Sequence, residues 1–224
     1  MSGEHRHALI PALRFRWLTP AYDLVVRLTT REAAFKNALV AQLQPPRAAR
    51  ILDLGCGTAT LTMMVKRQFP DARVCGVDGD PDILQIARAK AQKSGLEIEL
   101  QEAMAQALPY PDASYDRVVS SLFFHHLERQ GKLAALAEAA RVLKPGGELH
   151  VADWGRATGW ATRAAFLAIQ LLDGFPNTSD NVNGLLPEWM ERAGFESARE
   201  TCSMLTVYGN LALYRARKPA RRSE

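Results

Sequence analysis

Residues 51–58 read Ile-Leu-Asp-Leu-Gly-Cys-Gly-Thr, and the reading of this stretch decides the fold. A short apolar run, here Ala49–Leu54, that ends in glycine has the pattern of a strand buried on both faces and turning directly into a helix. The helix is expected over Thr58–Phe69, where apolar residues fall at helical spacing until Pro70-Asp71 breaks them. Gly55 and Gly57 occupy the turn, where a missing Cβ lets the backbone lie against a ligand with its N–H groups pointing outward. Asp53 is the exception in the strand: a carboxylate two residues before the first glycine.

Working outward, apolar strand-length runs alternate with amphipathic helix-length stretches. Ala72–Asp78 reads as a second strand. Asp80-Pro81 supplies an N-cap followed by proline at the first helical position, opening a helix that closes at Gly95. Leu96–Ala103 is expected as a third strand and Ser114–Phe124 as a fourth. A helix over Glu128–Lys144 is expected to stop at Pro145-Gly146-Gly147, with a fifth strand over Gly147–Trp154. This alternation predicts right-handed βαβ units and a parallel sheet covered on both faces. After a helix over 186–194, two strand-like runs (195–205 and 206–218) follow with no helix between them and predict an antiparallel C-terminal hairpin.

Two segments fall outside that alternation. Residues 1–44 are expected to form a helical cap, broken at Pro11 and Thr19-Pro20. Residues 155–185 hold an apolar helix and then the polar loop FPNTSDNVNG, and form an insertion within the main domain, 45–224. Ligands of open α/β sheets bind beyond the carboxyl ends of the strands, where strand order reverses, so both segments are expected there as lid and acceptor wall. The stripe Phe166, Leu167, Ile169, Leu171, Leu172 with Phe175 is first of all a core-forming pattern, and in a lid part of it would line an apolar acceptor site.

The bulk numbers exclude more than they identify. The 224 residues suit one compact unit, with 47% hydrophobic and 23% charged residues. No apolar run reaches the length of a membrane span. The first residues carry charges where a signal peptide needs an apolar core, so a cytoplasmic protein is expected. Cys56, Cys75 and Cys202 are odd in number and widely spaced, which fits reduced thiols and neither a disulfide framework nor a metal site. The net charge of +4 is uneven, with the basic excess in residues 1–50 and 201–224 and a mildly acidic middle. A basic rim suits solubilising termini first and peripheral contact with an anionic lipid surface second. The basic residues lack interleaved aromatics, so nucleic acid is not expected. A monomer or a homodimer is equally compatible.

Two carboxylates separate the ligand classes. Asp78 ends the second strand 23 residues after Gly55, where a carboxylate accepts from ribose hydroxyls in dinucleotide-binding folds as well. Asp53 would repel a pyrophosphate and attract a ligand carrying an amino group. The third glycine of the dinucleotide fingerprint is absent, since position 60 is Thr. An NAD-dependent oxidoreductase is therefore the weaker of the two readings.

Five motifs occur in order: Asp53–Ala59; Gly76-Val-Asp78 with Pro81 and Leu84; Ala107–Asp116; Ser120–His126; and Arg141–Gly147. Together they resemble the class I S-adenosylmethionine-dependent methyltransferases, in particular the group similar to ubiquinone/menaquinone C-methyltransferases. The resemblance spans roughly residues 45–155 and implies a Rossmann-like, seven-stranded, mostly parallel sheet. It also implies S-adenosyl-L-methionine as methyl donor and S-adenosyl-L-homocysteine as product. Carried over by position, Gly55, Cys56 and Gly57 line the methionine moiety with Asp53 near its amino group, and Asp78 and Gly79 meet the ribose. Ala105 and Gln106 flank adenine, and Ser121 faces the sulfonium. Tyr22, in a Tyr22-Asp23 pair, closes over the methionine end or simply anchors the cap.

This chain departs from the group twice. Ala59 replaces a frequent third glycine, which is tolerable with a negative φ. Met104-Ala105-Gln106 lacks a frequent adenine-binding Asp, leaving the Gln106 amide as an uncharged acceptor. His125 and His126, just past the fourth strand, are general-base candidates, with a structural role for them the simpler alternative. Asp153, ending the fifth strand, faces the acceptor side. The expectation is a methyltransferase acting on a small, apolar or aromatic acceptor at carbon, nitrogen or oxygen. A binding protein without catalysis is the remaining alternative.

Overall fold

The computed structural model describes residues 32–173 and 175–220. The expected cap segment up to residue 31, including Tyr22, lies outside them. Helix α1 (Glu32–Leu43) precedes strand β1 (Arg50–Leu54), helix α2 (Thr60–Gln68), β2 (Arg73–Asp78), α3 (Pro81–Ser94), β3 (Glu99–Glu102) and β4 (Tyr115–Ser121). A single 3-10 turn (Phe124–His126) leads to α4 (Arg129–Val142), β5 (Leu143–Trp154), α5 (Trp160–Asp173), α6 (Phe175–Val182) and α7 (Leu186–Arg192). Strands β6 (Glu196–Thr206) and β7 (Gly209–Arg217) close the chain.

The seven strands form one sheet in the order β3-β2-β1-β4-β5-β7-β6. The first five run parallel, and β7 pairs antiparallel with both β5 and β6. Strand order reverses between β1 and β4, so the chain's own topology makes the crevice beyond Leu54 and Ser121 the place for a ligand. Alternation along β1 feeds two cores. Ile51 joins a layer with Phe35, Leu39 and Leu43 of α1, while Leu52 and Leu54 join the opposite layer with Leu136 and Ala139 of α4.

Local chemistry explains the elements. Asp80 caps α3 by accepting from the N–H groups of Asp82 (2.9 Å) and Ile83 (3.3 Å), Pro81 follows at the first turn, and Gly95 ends the helix with φ +66°. Helix α1 buries Phe35, Leu39 and Leu43 against the sheet. Its last turn lies at the edge away from the crevice, where Leu43 and Gln44 carbonyls accept from Arg117 at the start of β4 (2.9 and 3.1 Å).

Two boundaries differ from the sequence expectation for identifiable reasons. Pro145-Gly146-Gly147 does not precede β5 but lies within it, as an irregularity where Leu143 pairs Tyr115 and Glu148 already pairs Arg117. Gly147 fits because a Cβ there would approach the Asp116 carbonyl to 3.1 Å. Residues 175–182 are helix α6, not a polar loop. Its polar side chains Asn177, Thr178, Asp180 and Asn181 are buried, and remote elements partner two of them. Asp180 meets Arg129 at 2.8 Å and the fully buried Lys132 at 3.7 Å, and the Asn181 amide donates to the Trp154 carbonyl at 3.4 Å.

Ala59 adopts φ +59°, in the left-handed region, rather than the negative φ that would make alanine comfortable there. Its N–H donates to the Cys56 carbonyl at 2.9 Å, so the turn itself imposes the conformation. A left-handed non-glycine residue costs about 1–2 kcal/mol, and glycine returns about 0.5–1 kcal/mol of that as unfolded-state entropy. Ala59→Gly is therefore expected to raise the melting temperature by roughly 1–3 °C. A lower melting temperature in thermal denaturation would show that the Ala59 methyl, fully buried, contributes more than the strain costs.

Candidate active site

The crevice is built from the ends of four strands. From β1 comes Asp53, 1% exposed, with one carboxylate oxygen accepting from the Thr62 hydroxyl of α2 at 2.7 Å. Its other oxygen is buried without a hydrogen-bond partner among the described residues. Burial raises its carboxyl pKa to about 6, against the lowering effect of the Thr62 bond and of the Lys36 charge. A buried, half-satisfied carboxylate at this edge is a socket for an N–H-bearing cation.

The turn after β1 is shaped by its neighbours. Gly55 has φ +69°, and a Cβ there would lie 2.2 Å from Cδ2 of Phe123. The Phe123 ring thus occupies the space that glycine vacates, a contact the sequence did not signal. Above Gly57, φ +51°, no atom lies within 4 Å of a Cβ position, so its backbone faces open space. Cys56 packs its sulfur onto Gly76 of β2 and its thiol pKa is pushed up by burial, so it is an inert wall residue.

Asp78 is anchored at the end of β2. One oxygen accepts from Gly57 N–H at 2.8 Å and the other from Asp80 N–H at 3.0 Å. Burial raises its pKa against these backbone bonds. The carboxylate therefore ties the glycine turn to β2 and presents its remaining lone pairs to the crevice. Gly79 lies beneath Met104, whose sulfur would be 2.8 Å from a Cβ on that glycine. Ala105 is buried, and Gln106 turns its amide toward Gly131 of α4, 3.4 Å from a Cβ position there. Ser121 ends β4 in register with Ala152, and the next residue, Leu122, has φ +52°. Strain at the end of a central strand, beside the switch point, is characteristic of working sites.

Across the crevice, Asp153 is fully buried at the end of β5. Its Oδ1 lies 2.7 Å from Nδ1 of His125 and accepts from Trp154 N–H at 2.7 Å, while Oδ2 accepts from His125 N–H at 3.3 Å. Burial opposes its ionisation, but His125 and the backbone donors outweigh it and the carboxyl lies below its ordinary range. His126 stacks on His125 with ring centroids 4.0 Å apart, and burial, with His125 beside it, pulls its pKa down to about 3. The Asp153 carboxylate orients the His125 ring. Trp154 packs edge-on against His125, Phe166 and Tyr208 at 6.2, 5.6 and 6.5 Å, and its indole N–H is buried without a partner. From the expected lid stripe, Phe166 is buried and Leu167 is 42% exposed. Beside it an open cleft of about 480 Å³ is lined by Arg156, Trp160, Arg163 and Val182.

Comparison with known proteins places this geometry. A methyltransferase-domain family model matches residues 51–147. The demethylmenaquinone methyltransferase of Thermus thermophilus is 39% identical over 142 residues, covering 62% of this chain and 64% of that protein. A ubiquinone/menaquinone biosynthesis C-methyltransferase of Syntrophotalea carbinolica is 33% identical over 161 residues, covering 70% of this chain and 67% of its own length. The chain belongs to the class I S-adenosylmethionine-dependent methyltransferases, in the group related to the ubiquinone/menaquinone C-methyltransferases. Within this methyltransferase family it spans a little under two thirds of the Thermus relative's length. Among solved structures, a putative methyltransferase from Bacillus halodurans shares the fold with a TM-score of 0.65 at 20% identity, covering 83% of this chain and 99% of that one. An oxidoreductase reading of the same sheet is not favoured by these matches. Among the described residues no helix is long and apolar enough to cross a membrane.

The amino end of S-adenosylmethionine fits the Asp53 socket on this structure's own terms: an unpartnered buried carboxylate oxygen beside the open face of Gly57. This pairing makes a pH prediction. Because the Asp53 pKa is raised, its stability contribution in the ligand-free protein is present below its ordinary value near 3.8 and lost as pH rises through about 6. An ammonium ligand needs the ionised form. The thermal shift given by S-adenosylhomocysteine is therefore expected to grow from pH 5 to pH 7, and Asp53→Asn is expected to flatten it. An equal shift at both pH values in the wild type would remove Asp53 from the amino-group contact.

Proposed function

We propose that this chain transfers the methyl group of S-adenosylmethionine to a small-molecule acceptor and releases S-adenosylhomocysteine. The observation that carries the proposal is the Asp53 oxygen left without a partner, buried beside the glycine turn that Asp78 holds in place. When bound, the cofactor supplies an electrophilic methyl on a sulfonium. In this reading Asp53 holds the amino group, the Gly55–Gly57 backbone lies along the methionine chain, and Asp78 accepts from the ribose. Gly79 and Ala105 flank the base, and Ser121 stands at the sulfonium side.

Methyl transfer of this kind is an in-line displacement, and alignment with exclusion of water supplies much of the acceleration. The acceptor side is proposed to lie between β5 and the 155–185 insertion, which serves as its wall. The aromatic set of Trp154, Phe166 and Tyr208 supports an apolar or aromatic acceptor, and the unpartnered indole N–H supports one that also bears a polar atom. His125, oriented by Asp153, is assigned as the base that accepts the acceptor's proton, and His126, with its pKa near 3, as its stacking support. Incubation with S-adenosylmethionine and a panel of quinols, phenols and amines tests the function. Release of S-adenosylhomocysteine with one of them is expected. Tight cofactor binding with no turnover on any acceptor would favour a binding protein instead.

A further inference from the structure

The nucleoside end of the site has an unusual lining. With Asp78 reading the ribose at the end of β2, the base must lie farther from β1, over the end of β3, because the sheet runs β1, β2, β3 in that direction. Three side chains were available there by sequence. Gln106 has its amide nitrogen, a donor, 3.4 Å from a Cβ position on Gly131 of α4. Glu102 ends β3 in register with Asp78 and is exposed to solvent. Met104 lies across Gly79 with its sulfur against the glycine backbone, and it is 40% exposed, so its thioether forms an open apolar platform next to the ribose site.

We propose that Met104 makes this a face-reading rather than an edge-reading purine site: the thioether packs on the ring, and no side chain accepts from the 6-amino group. This rests on the cofactor reading above. Sulfur is polarisable and packs well on aromatic rings, but as a hydrogen-bond acceptor it is weak. The consequence is a loss of selectivity at one atom of the cofactor. Cofactor analogues altered only at the purine 6-position are expected to be accepted almost as well as the natural nucleoside.

The test is calorimetric titration with S-adenosylhomocysteine and with its purine analogue carrying hydrogen in place of the 6-amino group, which keeps every other ring atom. The expected result is affinities within about threefold of each other, whereas an accepting carboxylate would make the analogue weaker on the order of tenfold or more. Met104→Asp should restore that acceptor and widen the ratio to roughly tenfold, mainly by tightening S-adenosylhomocysteine. Discrimination above tenfold in the wild type would overturn the inference while leaving the cofactor reading intact, and its disappearance in Glu102→Gln would name the acceptor. Binding of neither ligand would overturn the cofactor reading itself, and the inference with it.

Discussion

His125→Ala is expected to lower kcat by about 10²- to 10⁴-fold, the usual worth of a positioned general base, with affinity for S-adenosylhomocysteine nearly unchanged. The separation of the two effects follows from position. His125 follows β4 and is held by Asp153 of β5, whereas the proposed cofactor contacts, Ser121 at the end of β4 apart, come from β1, β2 and the loop after β3. Asp153→Asn should reproduce most of the loss. Its carboxylate fixes the imidazole through Nδ1 and is itself fixed by the N–H groups of His125 and Trp154. An amide can hold the ring in the wrong tautomer as readily as the right one. Because the two residues act as one unit, the double variant should be little worse than either single one. The pH profile adds an independent readout: an ascending limb of kcat in the wild type that disappears in His125→Ala. Wild-type kcat in His125→Ala would mean that the acceptor arrives already deprotonated or that alignment alone suffices.

The second large effect concerns Asp78. Asp78→Ala removes the proposed ribose contacts, which at charge-assisted strength are worth about 1.5–3 kcal/mol, or roughly 10- to 150-fold in the dissociation constant of S-adenosylhomocysteine. The structure adds a second cost. Asp78 also accepts from the N–H groups of Gly57 and Asp80, so its loss frees the glycine turn from β2. Two backbone donors left without a partner should lower stability by about 1–2 kcal/mol, visible as a lower melting temperature without ligand. Asp78→Asn separates the two costs, since its amide oxygen can keep one backbone anchor. It should recover stability more than affinity. Unchanged affinity in Asp78→Ala would place the ribose elsewhere.

The parallel half of the fold was legible because its signals are local. Ile51–Leu54, apolar but for Asp53, and Val74–Val77 are runs of strand length, and Asp80-Pro81 with Gly95 brackets α3 without help from elsewhere. The residues proposed for the site in that half sit where those strands end. What escaped depends on partners far along the chain. The polar run at 175–182 is a buried helix because Arg129, Lys132 and the Trp154 carbonyl wait for it. Phe123 matters because it fills the space beside Gly55, 68 residues earlier in the chain. The amide nitrogen of Gln106 lies beside Gly131 of α4, 25 residues on, a neighbour that no local pattern announces. The φ of Ala59 is set by a turn hydrogen bond that no residue pattern announces.

The proposed reading divides the crevice into a donor half written by β1, β2 and β3 with Ser121 of β4, and an acceptor half written by β4, β5 and the insertion after it. The donor half carries the motifs and the anchored carboxylates. The acceptor half carries a buried His125–Asp153 pair, an aromatic wall and polar atoms without partners. Family membership speaks for the first half, and the chemistry of the second remains the protein's own.

Calorimetric titration of the wild-type protein with S-adenosylhomocysteine, run in parallel with NADH at pH 8 where Asp53 is ionised, tests the central claim most directly. Saturable one-to-one binding of S-adenosylhomocysteine, strongly weakened in Asp53→Asn, with no binding of NADH, is the predicted result. Saturation by NADH alone, or binding of S-adenosylhomocysteine indifferent to Asp53→Asn, would contradict the assignment of this crevice.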